Sequence, residues 1–196
     1  VSQVLRGPSR LNPDYYHLKL ADAVWGGGFM TRLNLNLRED KGYTYGAFSA
    51  LSLLSKAGYW FSSASVQTDK TGETVSEFVR ELNDLAGSRP ISEQELAEAK
   101  ANRIRGFAQQ FESLHRIGSI VADLWSYGLP TTELQREQNG LEAATTSQVN
   151  SVVRKYAVPS ESMFVLVGDL SKIEAPVGAV GFGEIVVLDD EGNRIR

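Results

Sequence analysis

The 196-residue chain has no cysteine and only two histidines, His17 and His115. The first absence excludes disulfides, thiolate zinc sites, iron–sulfur clusters and thiol catalysis together. The second excludes any metal site built on three imidazoles. A surplus of positive charge is missing too. Lys and Arg number 20 against 24 Asp and Glu, a formal net charge of −4, which argues against a nucleic-acid module. No run reaches the roughly 18 apolar residues of a membrane span, and no basic-then-apolar leader opens the chain. What remains, 42% hydrophobic and 22% charged residues, is the balance of a globular domain. A chain of this size buries roughly 70% of its unfolded surface and needs no staple. It begins without a methionine inside the alternating run Val1–Arg6. That start reads as a cut through a strand and predicts a fragment or processed half of a longer chain.

The patterning predicts a strand at Val1–Arg6, then a loop punctuated by Pro8 and Pro13. Asp14 stands where it can cap a helix running to about Trp25. Gly26–Gly28 stop that helix, and a second runs from about Phe29 to Arg38. Thr44–Leu54 and Tyr59–Gln67, rich in aromatic and β-branched residues, read as a β-hairpin. Thr71–Ala86 carries Val75, Phe78, Val79, Leu82 and Leu85 on one helical stripe. Ser92 and Glu95 form a capping box for a long helix to about Phe111. Helices at about Leu114–Tyr127, Thr131–Ala143 and Ser147–Tyr156 follow. Met163–Val167 reads as a buried strand, Gly168–Asp169 as a turn and Glu184–Leu188 as a last edge strand. This order predicts an α+β fold: a two-layer sandwich with a mostly antiparallel sheet and helices packed on one face. Residues 1–196 read as one domain.

Most motif candidates dissolve on inspection. Gly26–Gly28 lack the Lys and Ser/Thr of a phosphate loop, since Phe29 and Met30 follow; they read as a helix stop letting two helices pack closely. Neither His17 nor His115 belongs to a His-x-x-x-His or His-x-x-Glu-His pattern, and there is no Gly-x-Ser-x-Gly elbow. Asp189, Asp190 and Glu191 lack the alternating spacing of a calcium loop and read as a solvated turn. Lys100, Arg103 and Arg105 follow Glu93, Glu95 and Glu98, an order that complements the helix dipole without an anion partner.

The segment Arg38–Gly46 is different. Arg38 ends a helix, Gly42 turns the chain and Tyr45 starts a strand. Such a corner can aim a guanidinium and a phenol at one point, suited to a peptide carbonyl or a developing oxyanion. The ordinary alternative is an Arg satisfying helix C-terminal carbonyls and a Tyr covering the core. The spacing leaves both open.

The stretch Gly26-Gly-Gly-Phe-Met-Thr-Arg-Leu33 with Leu37-Arg-Glu-Asp-Lys-Gly-Tyr-Thr-Tyr45 resembles the pattern G-G-x-F-x-S-R-L…L-R-E-x-x-G-x-x-Y of the M16, pitrilysin-type family of zinc metallopeptidases. Ile91–Lys100 and Val165–Asp169 extend the likeness. The resemblance points to the family's C-terminal, non-metal domain. It implies a substrate-binding, non-catalytic half that completes the active site of a zinc-bearing partner half, linked upstream or separate. It implies no cofactor in this chain, zinc in the partner, a peptide substrate and no turnover by the chain alone. Arg38 and Tyr45, seven residues apart, match the family's pair that reaches the substrate. Tyr43, two residues earlier and placed on the opposite strand face, competes for the phenol role. A structural or assembly subunit of the same fold is the alternative reading. The compartment stays open between the envelope and the cytoplasm of a bacterium.

Overall fold

A computed structural model describes residues Val1–Arg196. Four strands, β1 (Ser2–Gly7), β2 (Thr44–Leu53), β3 (Gly58–Val66) and β4 (Met163–Val165), form one sheet in the order β2-β3-β1-β4. Every neighbouring pair is antiparallel. Along β3, Trp60, Ser62 and Ala64 are buried while Tyr59 and Ser65 are exposed. One face is therefore covered and the other is open, the two-layer α+β arrangement that the order of elements predicts.

The rest of the chain is mainly helical: α1 (Tyr15–Trp25), α2 (Arg32–Asn34) continuing into a π-turn (Leu35–Asp40), α3 (Thr71–Ala86), α4 (Glu93–Phe107), α5 (Leu114–Ser126), α6 (Glu133–Ala143), α7 (Thr146–Tyr156) and α8 (Leu170–Val180). The stripe on α3 buries Val75, Phe78, Leu82 and Leu85. Trp25 and Trp60 meet edge to face at the centre, ring centroids 6.3 Å apart. Each indole N–H has a partner: Trp25 donates to Ser62 Oγ at 2.7 Å and Trp60 to Asp22 Oδ1 at 2.9 Å.

Several expectations need correction. Asp14 precedes α1 without capping it; its carboxylate accepts from Lys155 Nζ at 2.6 Å and Tyr156 Oη at 2.9 Å, tying α1 to α7. The second helix starts at Arg32 rather than Phe29 and ends on the π-turn. The long helix stops at Phe107, with a 3₁₀ turn over Ala108–Phe111. Met163–Val165 is not buried, because β4 pairs with β1 alone and sits at the sheet edge. Glu184–Leu188 joins no sheet. Its backbone turns back on the C-terminus, with Val187 N–H donating to Arg196 C=O at 3.0 Å. Between the turn at Gly168–Asp169 and Glu184, where the patterning predicts no element, lies α8, its N-terminus capped by the Asp169 carboxylate accepting from Ser171 N–H at 3.1 Å. Pro176 and Gly178 inside α8 hide its helical pattern. Between Ala99 and Leu124 no residue is buried, and Leu114 and Trp125 stand largely in solvent. No helix is long and apolar enough to cross a membrane.

Candidate functional site

The site begins where α1 ends. Gly26 lies flush against β2: a Cβ there would come within 2.7 Å of Ser49 N, and Gly26 C=O accepts from that same N–H at 2.9 Å. Gly26 thus seats a strand against the turn, whereas a Cβ at Gly27 would meet Asp22 and Ala23 of α1 itself. Beside them Asp22 is buried. Its Oδ1 accepts from Ser49 Oγ at 2.6 Å and from Trp60 Nε1 at 2.9 Å, and Arg103 approaches Oδ2 to 3.5 Å. Burial raises the Asp22 pKa despite these partners. Lys19, Asp22, Gly27, Ser49 and Arg103 line a polar cleft of about 290 Å³.

Arg32 fixes the start of α2. Its guanidinium is buried and donates from Nε to Glu95 Oε1 at 2.7 Å, from Nη2 to Glu95 Oε2 at 2.8 Å and to Pro90 C=O at 3.0 Å, with a further bond to Arg89 C=O. Burial alone would raise the Glu95 pKa, but the Arg32 fork and the Ser92 N–H outweigh it and hold it at about 2. A folded pKa below the usual 4.5 means that the pair's contribution is present above about pH 4.5. It is lost as pH falls toward 2. Glu95→Gln is therefore expected to lower stability at pH 7 by on the order of 2 kcal/mol, discounted for partial exposure. In urea titrations the gap from wild type should close between pH 4.5 and 2. A gap independent of pH would reject the ionic contribution.

The chain then widens into the π-turn, a local unwinding frequent at functional sites. Lys41 N–H donates to Asn36 C=O at 2.9 Å and Tyr43 N–H to Leu37 C=O at 2.9 Å. Asn36 Nδ2 is held by Glu77 Oε2 at 2.7 Å and Glu81 Oε1 at 2.9 Å of α3. Gly42, at φ +65°, makes the left-handed exit that a Cβ would strain. On this turn Arg38 is half-buried. Its guanidinium lies 4.4 Å from the Phe29 ring centroid and 3.6 Å from Glu39 Oε1.

β2 starts with a bulge. Thr44 pairs with Val66 and Ala47 with Ala64, so Tyr45 and Gly46 together face Ser65. Thr44 Oγ1 donates to Ser65 C=O at 2.6 Å and accepts from Gly46 N–H at 3.1 Å. Strict alternation puts Tyr45 on the same face as buried Ala47; the extra residue turns it out, and its side chain is 99% exposed. Tyr43 lies before the strand, half-buried against the core, with Lys70 Nζ 5.6 Å from its ring centroid. Residues two apart share a face of a regular strand, so the two tyrosines part through the bulge, not through alternation.

Arg38 and Tyr45 thus flank one turn at the bulged end of β2. His17 is half-buried on α1 and His115 exposed on α5. No three His, Asp or Glu side chains converge as metal ligands, so the residues present do not fit a zinc site. The sequence reading missed the bulge and Asn34, whose amide ties the bulge to the glycine turn. The one signal was a pair of asparagines, Asn34 and Asn36, in a helix they do not favour.

Solved structures share this architecture. The peptidase M16 inactive domain of Pseudomonas fluorescens superposes with a TM-score of 0.73 at 23% identity, over 82% of this chain and 39% of that one. The inactive peptidase domain of a Bordetella parapertussis protein gives 0.73 at 20%, over 83% and 87%. A chain of complex III from Candida albicans gives 0.70 at 18%, over 91% and 45%. The chain therefore spans well under half of the Pseudomonas relative. No curated protein matches it by sequence. Residues 1–103 match the family described as peptidase M16 inactive domain, and the chain belongs to that family.

Proposed function

We propose that residues 1–196 form, as one domain, the substrate-binding half of an M16-type zinc endopeptidase, completing the active site of a zinc-bearing companion half. The observation that carries this reading is the bulge at Thr44–Ala47, which turns the Tyr45 phenol fully into solvent one turn of chain after the half-buried Arg38. A large aromatic left wholly exposed contributes little to its own fold. In this reading Tyr45 Oη donates a hydrogen bond to the scissile carbonyl oxygen as negative charge develops there. Arg38 donates its N–H groups to carbonyls of the peptide backbone and fixes the register of the substrate. Zinc held by the companion half supplies the hydrolytic chemistry, and nothing in this chain needs to bind it.

The test is reconstitution. The chain and a zinc-bearing companion half are purified separately and assayed against a quenched fluorescent peptide, alone and mixed. Turnover is expected in the mixture and not with this chain alone. Cleavage by the isolated chain would overturn the division of labour. A mixture that assembles and cleaves nothing would favour a scaffold role, for which the likeness to a complex III chain offers the fold.

A further inference from the structure

We propose that Asn34 is the positioning residue that locks Arg38 and Tyr45 into one geometry; this rests on the function proposed above. Asn34 sits at the C-terminal end of α2 and is buried, 6% exposed. Its Oδ1 accepts from Ala47 N–H at 2.7 Å, and its Nδ2 donates to Gly28 C=O at 3.2 Å. The partners dictate the orientation of the amide, because a peptide N–H only donates and a carbonyl only accepts.

The two bonds reach the two sides of the site. Ala47 is the first residue to pair normally after the bulge that turns Tyr45 outward. Its N–H points off the free edge of β2, where no strand satisfies it, so Asn34 supplies the missing acceptor. Gly28 directly precedes Phe29, whose ring lies under the Arg38 guanidinium. Thr31 Oγ1 reinforces that carbonyl at 3.0 Å. One side chain therefore clamps the strand that presents the phenol and the loop that floors the guanidinium, from the helix that carries the guanidinium itself. Aspartate could keep the bond to Ala47 and would set a carboxylate against Gly28 C=O. Alanine would lose both bonds.

Hydrogen-exchange mass spectrometry on the isolated chain gives a readout independent of any companion. In Asn34→Ala, amides of residues 44–49 are expected to exchange about tenfold faster, the equivalent of one lost buried hydrogen bond, with residues 60–64 of β3 unchanged. Asn34→Asp should keep protection at 44–49 and lose it at 28–31, and it serves if the alanine variant does not fold. Equal protection in wild type and both variants would overturn the proposal. In the reconstituted peptidase, Asn34→Ala should lower kcat about tenfold with little change in KM, and cost nothing further in a Tyr45→Phe background. Additive losses would make Asn34 a structural residue only. If Tyr45→Phe by itself leaves the rate unchanged, the role proposed for Tyr45 fails, while the exchange data still decide whether Asn34 holds the bulge.

Discussion

Tyr45→Phe in the reconstituted peptidase should lower kcat by about 10²–10³, the usual cost of one oxyanion donor, roughly 3–4 kcal/mol of transition-state stabilisation. The substitution keeps the ring and removes only the hydroxyl. Because the Tyr45 side chain is 99% exposed and makes no hydrogen bond of its own within the fold, the thermal midpoint should stay within the small range of surface changes. Rate and stability are thereby separated in a single variant. KM should move little, since the bond strengthens only as charge develops on the carbonyl oxygen. Tyr43→Phe is the control: its ring packs against the core, and kcat should hold. An unchanged rate in Tyr45→Phe with a large loss in Tyr43→Phe would transfer the role to the inner tyrosine.

Trp60→Ala should have the largest effect on stability. The side chain is fully buried, meets Trp25 edge to face and donates to Asp22. Truncation opens a cavity at the centre of the core and removes one donor from a buried carboxylate. A loss of about 3–5 kcal/mol is expected, or roughly 10–15 °C in thermal midpoint for a chain of this length. Circular dichroism against temperature measures it. Trp60→Phe, which keeps much of the volume and loses only the N–H, should cost about 1–2 kcal/mol. If the two variants cost the same, the bond to Asp22 rather than packing dominates this part of the core.

The layers of the fold were legible because their signals are local. The α3 stripe, the hairpin and the Ser92–Glu95 box each depend on a handful of neighbouring residues, and each element stands where that chemistry places it. Elements whose partners are distant read poorly. Asp14 looks like a cap until Lys155 and Tyr156 arrive from the far end of the chain. Glu184–Leu188 has the composition of a strand, but its backbone bonds with the C-terminus. The helix expected at about Leu114–Tyr127 forms, yet almost none of it is covered. At the candidate site the sequence presented Arg38 and Tyr45 as a pair. It could not show the bulge, because one extra residue in a strand leaves no compositional mark, and strict alternation would have buried the phenol. Asn34 left only the faint mark of an asparagine in a helix, because its two partners, six residues before it and thirteen after, are set by the fold.

The covered rim of β2 also bears on how the sheet can grow. An outer strand normally offers its spare N–H groups to any passing chain and so invites end-to-end pairing of sheets. Here the spare donors of Ala47 and Ser49 are already taken, by a side-chain amide and by Gly26 C=O. A neighbouring molecule arriving at that end finds no row of donors to zip onto. The opposite rim is three-residue β4, too short to template a long ladder. Extension is thereby opposed at the bulged end of β2 and offered only a short template at β4.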